Sequence, residues 1–256
     1  MPKANDFLGI LIFALLLTIM LYLAVTLQVR QNEIIKKINL KGGYYLTNEQ
    51  YLSYARLENP EDFRYLSPAL IKDRFEKHPY INKADVMLEK DGTADVKIYE
   101  KKIEAFLNCG QKQFLVSDDF EALPLMSFTK KIDCPVISNP EKAVEIKNYE
   151  NLLQNSDVKT AFKIVETTKI LSREMLKNVS EIDMRSGKDI VVYLSGINYP
   201  VVIGRSNEIR KMIYFSKFWN NLKGKEINEV VDYIDLRFDN HLYLGFTGGF
   251  EEGSGT

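Results

Sequence analysis

The sequence predicts an α+β chain: a single N-terminal transmembrane helix, a small strand-helix-helix-strand-strand unit, and a larger β-rich region mixed with helices. Three observations carry this. Residues 7–27, FLGILIFALLLTIMLYLAVTL, hold no charge. The rest of the chain falls into short runs that alternate apolar and polar residues between Gly, Pro, Asn and Asp, as strands and turns do. Two stretches of helical spacing interrupt those runs, at 148–176 and 206–224.

At about 1.5 Å per residue the apolar run reaches roughly 32 Å as a helix, enough for a hydrocarbon core of about 30 Å. A cleaved signal peptide would have a shorter apolar region and a small-residue cleavage site, and the run offers only Ala24-Val25-Thr26. Residues 1–6 are then a short tail and 7–27 the span. Charge leaves the topology open. Lys3 precedes the span, while Arg30, Lys36, Lys37 and Lys41 follow it. That count would hold the bulk in the cytoplasm, yet long domains translocate largely regardless of charge.

With 34 basic and 35 acidic residues interspersed, there is no electrostatic footprint for nucleic acid. Cys109 and Cys134 are the only cysteines. Their spacing fits neither a redox pair nor a zinc site, and leaves open either a disulfide or two separate buried thiols.

Residues 28–35 read as a polar juxtamembrane connector, and a compact unit follows over 36–102. Ile38 and Leu40 alternate as a strand that Gly42-Gly43 ends. Thr47 with Gln50 forms a capping box for a helix carrying Tyr51, Leu52 and Ala55. Asn59 to Tyr65 reads as a loop. Ser67-Pro68 then supplies a cap and a first-turn proline to a helix with Leu70, Ile71 and Phe75, which stops at His78-Pro79. Ile81, Ala84, Val86 and Leu88 lead through Lys90-Asp91-Gly92 to Ala94, Val96 and Ile98, a hairpin. Ile71, Phe75, Val86 and Val96 are the expected core.

This unit, just outside one membrane anchor, resembles a POTRA domain as found in the FtsQ/DivIB family of bacterial cell-division proteins. Residues 75–86, FEKHPYINKADV, are similar to that family's helix-end proline followed by the next strand. Val96-Lys97-Ile98-Tyr99-Glu100-Lys101 is similar to its hairpin return, with the following alanine present as Ala105 and the usual proline replaced by Ile103.

Residues 103–246 read as the β-rich domain. Ala105-Phe106-Leu107 and Phe114-Leu115-Val116 flank a turn at Asn108 to Lys112. Segments around Pro124 and after Pro135 carry proline at their margins, the mark of edge strands. Asn148 to Leu176 is mostly helical, with Leu152, Leu153, Phe162, Val165, Ile170, Leu171 and Met175 apolar and Asp157 as a cap after a break. Ile182 and Met184 pair with Ile190, Val192 and Leu194 across Ser186-Gly187, and Val201 to Ile203 ends at Gly204. Ser206 caps a helix whose face is Ile209, Met212, Ile213, Phe215, Trp219 and Leu222. In the next strand Ile234, Leu236 and Phe238 face one way, and Tyr233, Asp235 and Arg237 the other. Asp239-Asn240 suits a two-residue turn into His241 to Phe246.

Tyr233-Ile234-Asp235-Leu236-Arg237-Phe238 is similar to the Tyr-Val-Asp-Leu-Arg-Tyr signature near the end of FtsQ/DivIB proteins, and Gly245-Phe246 to the end of their last strand. The resemblance implies a bitopic, non-enzymatic divisome scaffold at the septum, with a cytoplasmic N-terminus and both domains outside the cytoplasmic (inner) membrane. It implies partners among the small bitopic division proteins of the FtsB and FtsL kind, linking early components to septal peptidoglycan synthesis. Residues 247–256 are glycine-rich and expected to be disordered.

No catalytic set is evident. His78 and His241 stand without a positioned nucleophile, and no phosphate loop, GxSxG or metal spacing occurs, so neither cofactor nor metal is expected. Two other readings are an anchored extracytoplasmic enzyme, which lacks that set, and a POTRA-bearing transport or assembly factor, which would continue into barrel strands. The expected interaction site is the edge of the last strand, with Leu242, Tyr243, Leu244, Gly245 and Phe246 beside Tyr233 and Arg237.

Overall fold

The computed structural model describes residues 4–26, 34–222 and 224–246. Helix α1 runs Ala4–Thr26. Its side chains are described over residues 11–23, all exposed. Among the described residues no helix is long and apolar enough to cross a membrane, so the span at 7–27 remains a reading of the sequence. The tail expected at 1–6, the connector at 28–35 and the disordered tail at 247–256 lie partly or wholly outside the described residues.

The smaller unit begins with β1 (Lys37–Lys41) and α2 (Asn48–Tyr54), the latter closed by the expected Thr47/Gln50 capping box. Asn59 to Tyr65, expected as a loop, contains a short helix, α3 (Pro60–Phe63). Asn59 precedes it, Pro60 opens it and the Asp62 carboxylate accepts the Asn59 N–H, an arrangement that buries Phe63. Four residues are too few to show a helical period. Helix α4 (Pro68–Glu76) follows Ser67, whose Oγ accepts the Leu70 N–H. It buries Ile71 and Phe75, one turn apart, while Leu70 turns outward.

Strands β2 (Ile81–Leu88) and β3 (Thr93–Glu100) form the hairpin, and β1 joins β3 in parallel, giving the order β1-β3-β2. A bulge at Asn82 lets both Ile81 and Ala84 face the core despite their odd spacing. Val96 is buried and Val86 half-buried. Gly42, at φ +100°, ends β1 where a Cβ would stand 2.3 Å from the Ile98 carbonyl oxygen. The Glu100 carboxylate accepts the N–H groups of Tyr44 (2.9 Å) and Tyr45 (3.0 Å) and the Tyr51 hydroxyl, pinning the turn after β1 to the end of β3.

Only Lys101 and Lys102 separate β3 from the second sheet. Its strands are β4 (Ile103–Cys109), β5 (Lys112–Ser117), β6 (Ala122–Pro124), β7 (Val136–Ser138), β8 (Val179–Asp183), β9 (Val191–Leu194), β10 (Val201–Val202), β11 (Val231–Asp235) and β12 (Tyr243–Phe246). They form one nine-stranded sheet in the order β12-β11-β10-β9-β8-β7-β4-β5-β6. Helices α5 (Ser156–Leu171), α6 (Arg173–Asn178) and α7 (Glu208–Leu222) supply Phe162, Val165, Met175, Met212, Phe215 and Trp219 to its core.

Several local expectations change. β7 is an interior strand, parallel to both β4 and β8, and not an edge: Pro135 stands just before it and needs no donor there, its carbonyl accepting the Phe106 N–H. The cap of α5 is Asn155, whose Oδ1 accepts the N–H groups of Asp157 and Val158. Asp157 is instead fully buried and paired with Arg205 at 2.6 Å. Helix α7 starts two residues past Ser206, whose hydroxyl lies 3.5 Å from the Lys211 ammonium. Ile170 is 81% exposed, and Leu153, Ile209 and Ile213 also point outward, so the buried helical stripes are narrower than the run of apolar residues suggests. Both cysteines are free thiols: Cys109 sits in the larger core and Cys134 packs against the smaller one. Burial pushes their pKa values up to about 11 and about 12.

The two sheets share a packed junction. Ile103, Leu115 and Leu123 belong to the smaller core. The Tyr80 hydroxyl donates to the Pro124 carbonyl (2.8 Å) and accepts the Met126 N–H (3.0 Å), and the Lys130 N–H reaches the Tyr45 carbonyl.

Candidate interaction edge

β12 is the terminal strand of the larger sheet and pairs antiparallel with β11. The direction of its free groups follows from the hydrogen bonds of β11. The Ile234 N–H goes to the Pro200 carbonyl (3.0 Å) and the Leu236 N–H to the Val202 carbonyl (2.8 Å), both on the β10 side. Tyr233 and Asp235, which alternate with them, therefore face β12 and bond to their opposites, Gly245 and Tyr243. Leu244, opposite Ile234, directs its N–H and C=O away from the sheet. Among the described residues no strand pairs with that outer side.

The side chains divide as the alternation requires. Leu242 and Leu244 pack on the core from partly buried positions. Phe246, expected beside them, is 39% exposed. On the other face Tyr243 is half-exposed, and the Tyr233 ring lies flat on Gly245, so close that a Cβ there would overlap it at 2.2 Å. Two residues missed by the sequence reading complete this surface. Phe238, expected inward, is 57% exposed because regular pairing of β11 stops at Asp235. Its ring meets Tyr243 edge-on at 5.5 Å, and His241 stacks on Tyr243 at 5.9 Å. The connection between the strands spans residues 236–242, longer than the expected two-residue turn, and of its residues only Asn240 takes a positive φ.

Arg237, also exposed, is tied to two carboxylates. Its guanidinium donates to Asp235 through Nε (3.0 Å) and Nη2 (2.7 Å) and reaches across β10 to Asp189 through Nη1 (3.0 Å). Asp235, expected at the surface, is buried. The Arg237 hydrogen bonds hold its carboxyl below the usual carboxylate range against the cost of that burial. Nearby, Lys211 is also buried and donates to the Ile203 carbonyl (3.0 Å). Strand alternation marks Asp235 as outward and sets Arg237 beside it on the same face, but no local signal reveals its burial or the approach of Lys211 from α7.

The opposite end of the sheet is closed. β6 ends in Pro124, and residues 149–152 bond along its outer side: Tyr149 N–H to Ala122 O (2.7 Å), Ala122 N–H to Glu150 O (2.9 Å) and Leu152 N–H to Phe120 O (2.8 Å).

Comparison with known proteins matches residues 105–237 to the family model described as cell division protein FtsQ/DivIB, C-terminal. The chain is 22% identical over 209 residues to cell division protein DivIB of Clostridium acetobutylicum, covering 80% of this chain and 79% of that one. It is 20% identical over 222 residues to cell division protein FtsQ of Salinibacter ruber, covering 84% and 83%. Against cell division protein FtsQ of Geotalea daltonii it is 21% identical over 210 residues, covering 82% and 74%.

Proposed function

The chain belongs to the FtsQ/DivIB family of cell division proteins, and we propose that it is a membrane-anchored, non-enzymatic scaffold of the divisome whose β12 edge accepts a strand from a partner. The observation that carries this reading is the asymmetry of the nine-stranded sheet: β12 directs backbone groups of Leu244 outward beside exposed Tyr233, Phe238 and Tyr243, while the far edge is closed. Strand addition takes affinity from main-chain hydrogen bonds and selectivity from alternate side chains. An open edge is otherwise an aggregation liability. The partners that fit are small bitopic division proteins of the FtsB and FtsL kind.

In this reading residues 7–27 span the cytoplasmic membrane, the N-terminus is cytoplasmic, and the unit at 36–102 is a POTRA-like recruitment domain followed by the β-rich domain at 103–246. The apolar run, the helix at Ala4–Thr26 and the family support that topology. Protease added to spheroplasts should degrade the chain beyond Leu27. Protection until the membrane is opened would reverse the orientation. A fluorescent fusion should form a midcell band, and a uniform membrane signal would contradict the divisome role.

A further inference from the structure

A second surface lies away from β12. Where the parallel strands β4, β7 and β8 begin, a cleft of about 320 Å³ opens beneath the end of α5 and the length of α6. This is the small end of the range for ligand pockets, about 300 to 1,000 Å³. Its floor is apolar: Ile103, Val165 and Val179 are buried there, with Leu176 partly so.

The mouth carries both signs, with the Asp133 carboxylate exposed among its lining cations, and these charges are unevenly satisfied. Glu104 is already shared by Lys102 and by Lys169, the latter at 3.3 Å, and Lys169 also binds Glu166 at 3.0 Å. Arg173 and Lys177, exposed on the cleft side of α6, have no hydrogen-bonded or ion-paired partner among the described residues. Standing four apart on a helix, they are neighbours about 5–6 Å apart at Cβ. An extended chain places alternate side chains about 6.6 Å apart on one side and turns the intervening one to the other. Two carboxylates at alternate positions thus match the two cations, and the residue between them points at the apolar floor.

We propose that this cleft binds an extended segment of a partner protein with an acidic-apolar-acidic pattern, the carboxylates on Arg173 and Lys177 and the apolar side chain against Val165 and Val179. It does not depend on the β12 edge, since β8 is separated from β12 by three strands.

The test uses the full chain in nanodiscs of neutral lipid and fluorescence anisotropy of labelled octapeptides. Their central triplets are Glu-Leu-Glu, Gln-Leu-Gln, Glu-Ser-Glu and Lys-Leu-Lys. Glu-Leu-Glu should bind at least tenfold more tightly than the other three. The double variant Arg173→Glu, Lys177→Glu, which changes only exposed side chains, should lose at least tenfold in affinity for it, whereas Leu244→Pro should leave it unchanged. Equal binding of all four peptides, unchanged binding by the double variant, or no binding at millimolar peptide would overturn the proposal. So would loss of peptide binding in discs of anionic lipid, which would make a lipid headgroup the occupant.

Discussion

The two ends of the nine-stranded sheet solve the same problem in opposite ways. At β6 the chain returns over its own edge at 149–152, and Pro124 removes a donor. The Tyr80 hydroxyl fixes the Pro124 carbonyl from the neighbouring unit. At β12 the final described strand is held only by β11, and rings gather on one of its faces. The contrast teaches that closing an edge was within reach of this fold, and the proposed strand addition assigns the end left uncovered among the described residues to a partner's backbone. It also divides the roles of the residues: those at β6 should matter for stability, and those at β12 for binding.

The largest expected effect tests the closed end. Leu152 is buried and anchors the covering segment in the core. Leu152→Ala should cost about 2–5 kcal/mol in denaturant unfolding of the segment after α1. A loss under about 1 kcal/mol would mean that the cover is incidental and the comparison empty.

Acid should next loosen the smaller unit, whose Tyr80 holds the Pro124 carbonyl at the closed end. His78, packed among Tyr51, Tyr54 and Tyr80, accepts the Tyr80 N–H through Nδ1 at 3.0 Å, and burial lowers its pKa to about 4. The unfolded chain takes up this proton near pH 6.5 and the folded one only near 4. Stability should therefore fall as pH drops through that window and level off below it, by on the order of 3 kcal/mol from this group. Denaturant midpoints at pH 7, 5.5 and 4 check it. His78→Phe should show a shallower decline, and an equal decline in both proteins would assign the effect to other groups.

The smaller effects belong at the open end. Tyr233→Ala removes an exposed ring from Gly245 and should change stability by no more than about 1 kcal/mol. It should weaken partner co-isolation severalfold. A large loss of stability with full co-isolation would exchange the roles of the two ends.

Much of the smaller unit is legible in the sequence because its signals are local. Thr47 with Gln50, Ser67 with Pro68, and Lys90-Asp91-Gly92 each act within a few residues. The Tyr233 to Phe238 signature likewise locates the penultimate strand. What sequence does not convey is set by distant chain. The interior place of β7 depends on β8, more than forty positions along, and the closure of β6 depends on a turn at 149–152 that carries no strand pattern. Asp235 reads as a surface carboxylate beside Arg237 because its burial and the approach of Lys211 are set only in three dimensions. Arg237, expected among the binding residues, stays exposed while Nε, Nη1 and Nη2 each give one hydrogen bond to Asp235 or Asp189, which leaves two of its five N–H donors free of these bonds.

The most direct test of the open edge is Leu244→Pro. It deletes the N–H that faces away from β11 and leaves the Tyr233/Gly245 and Asp235/Tyr243 pairs in place. Thermal melts and co-isolation of the small bitopic division proteins should be measured on the same preparations. A loss of about 1 kcal/mol, a shift of about 2–4 °C for a unit of this size, should accompany a drop of at least tenfold in recovered partner. A folded Leu244→Pro protein that recovers its partners at wild-type level would contradict strand addition at β12.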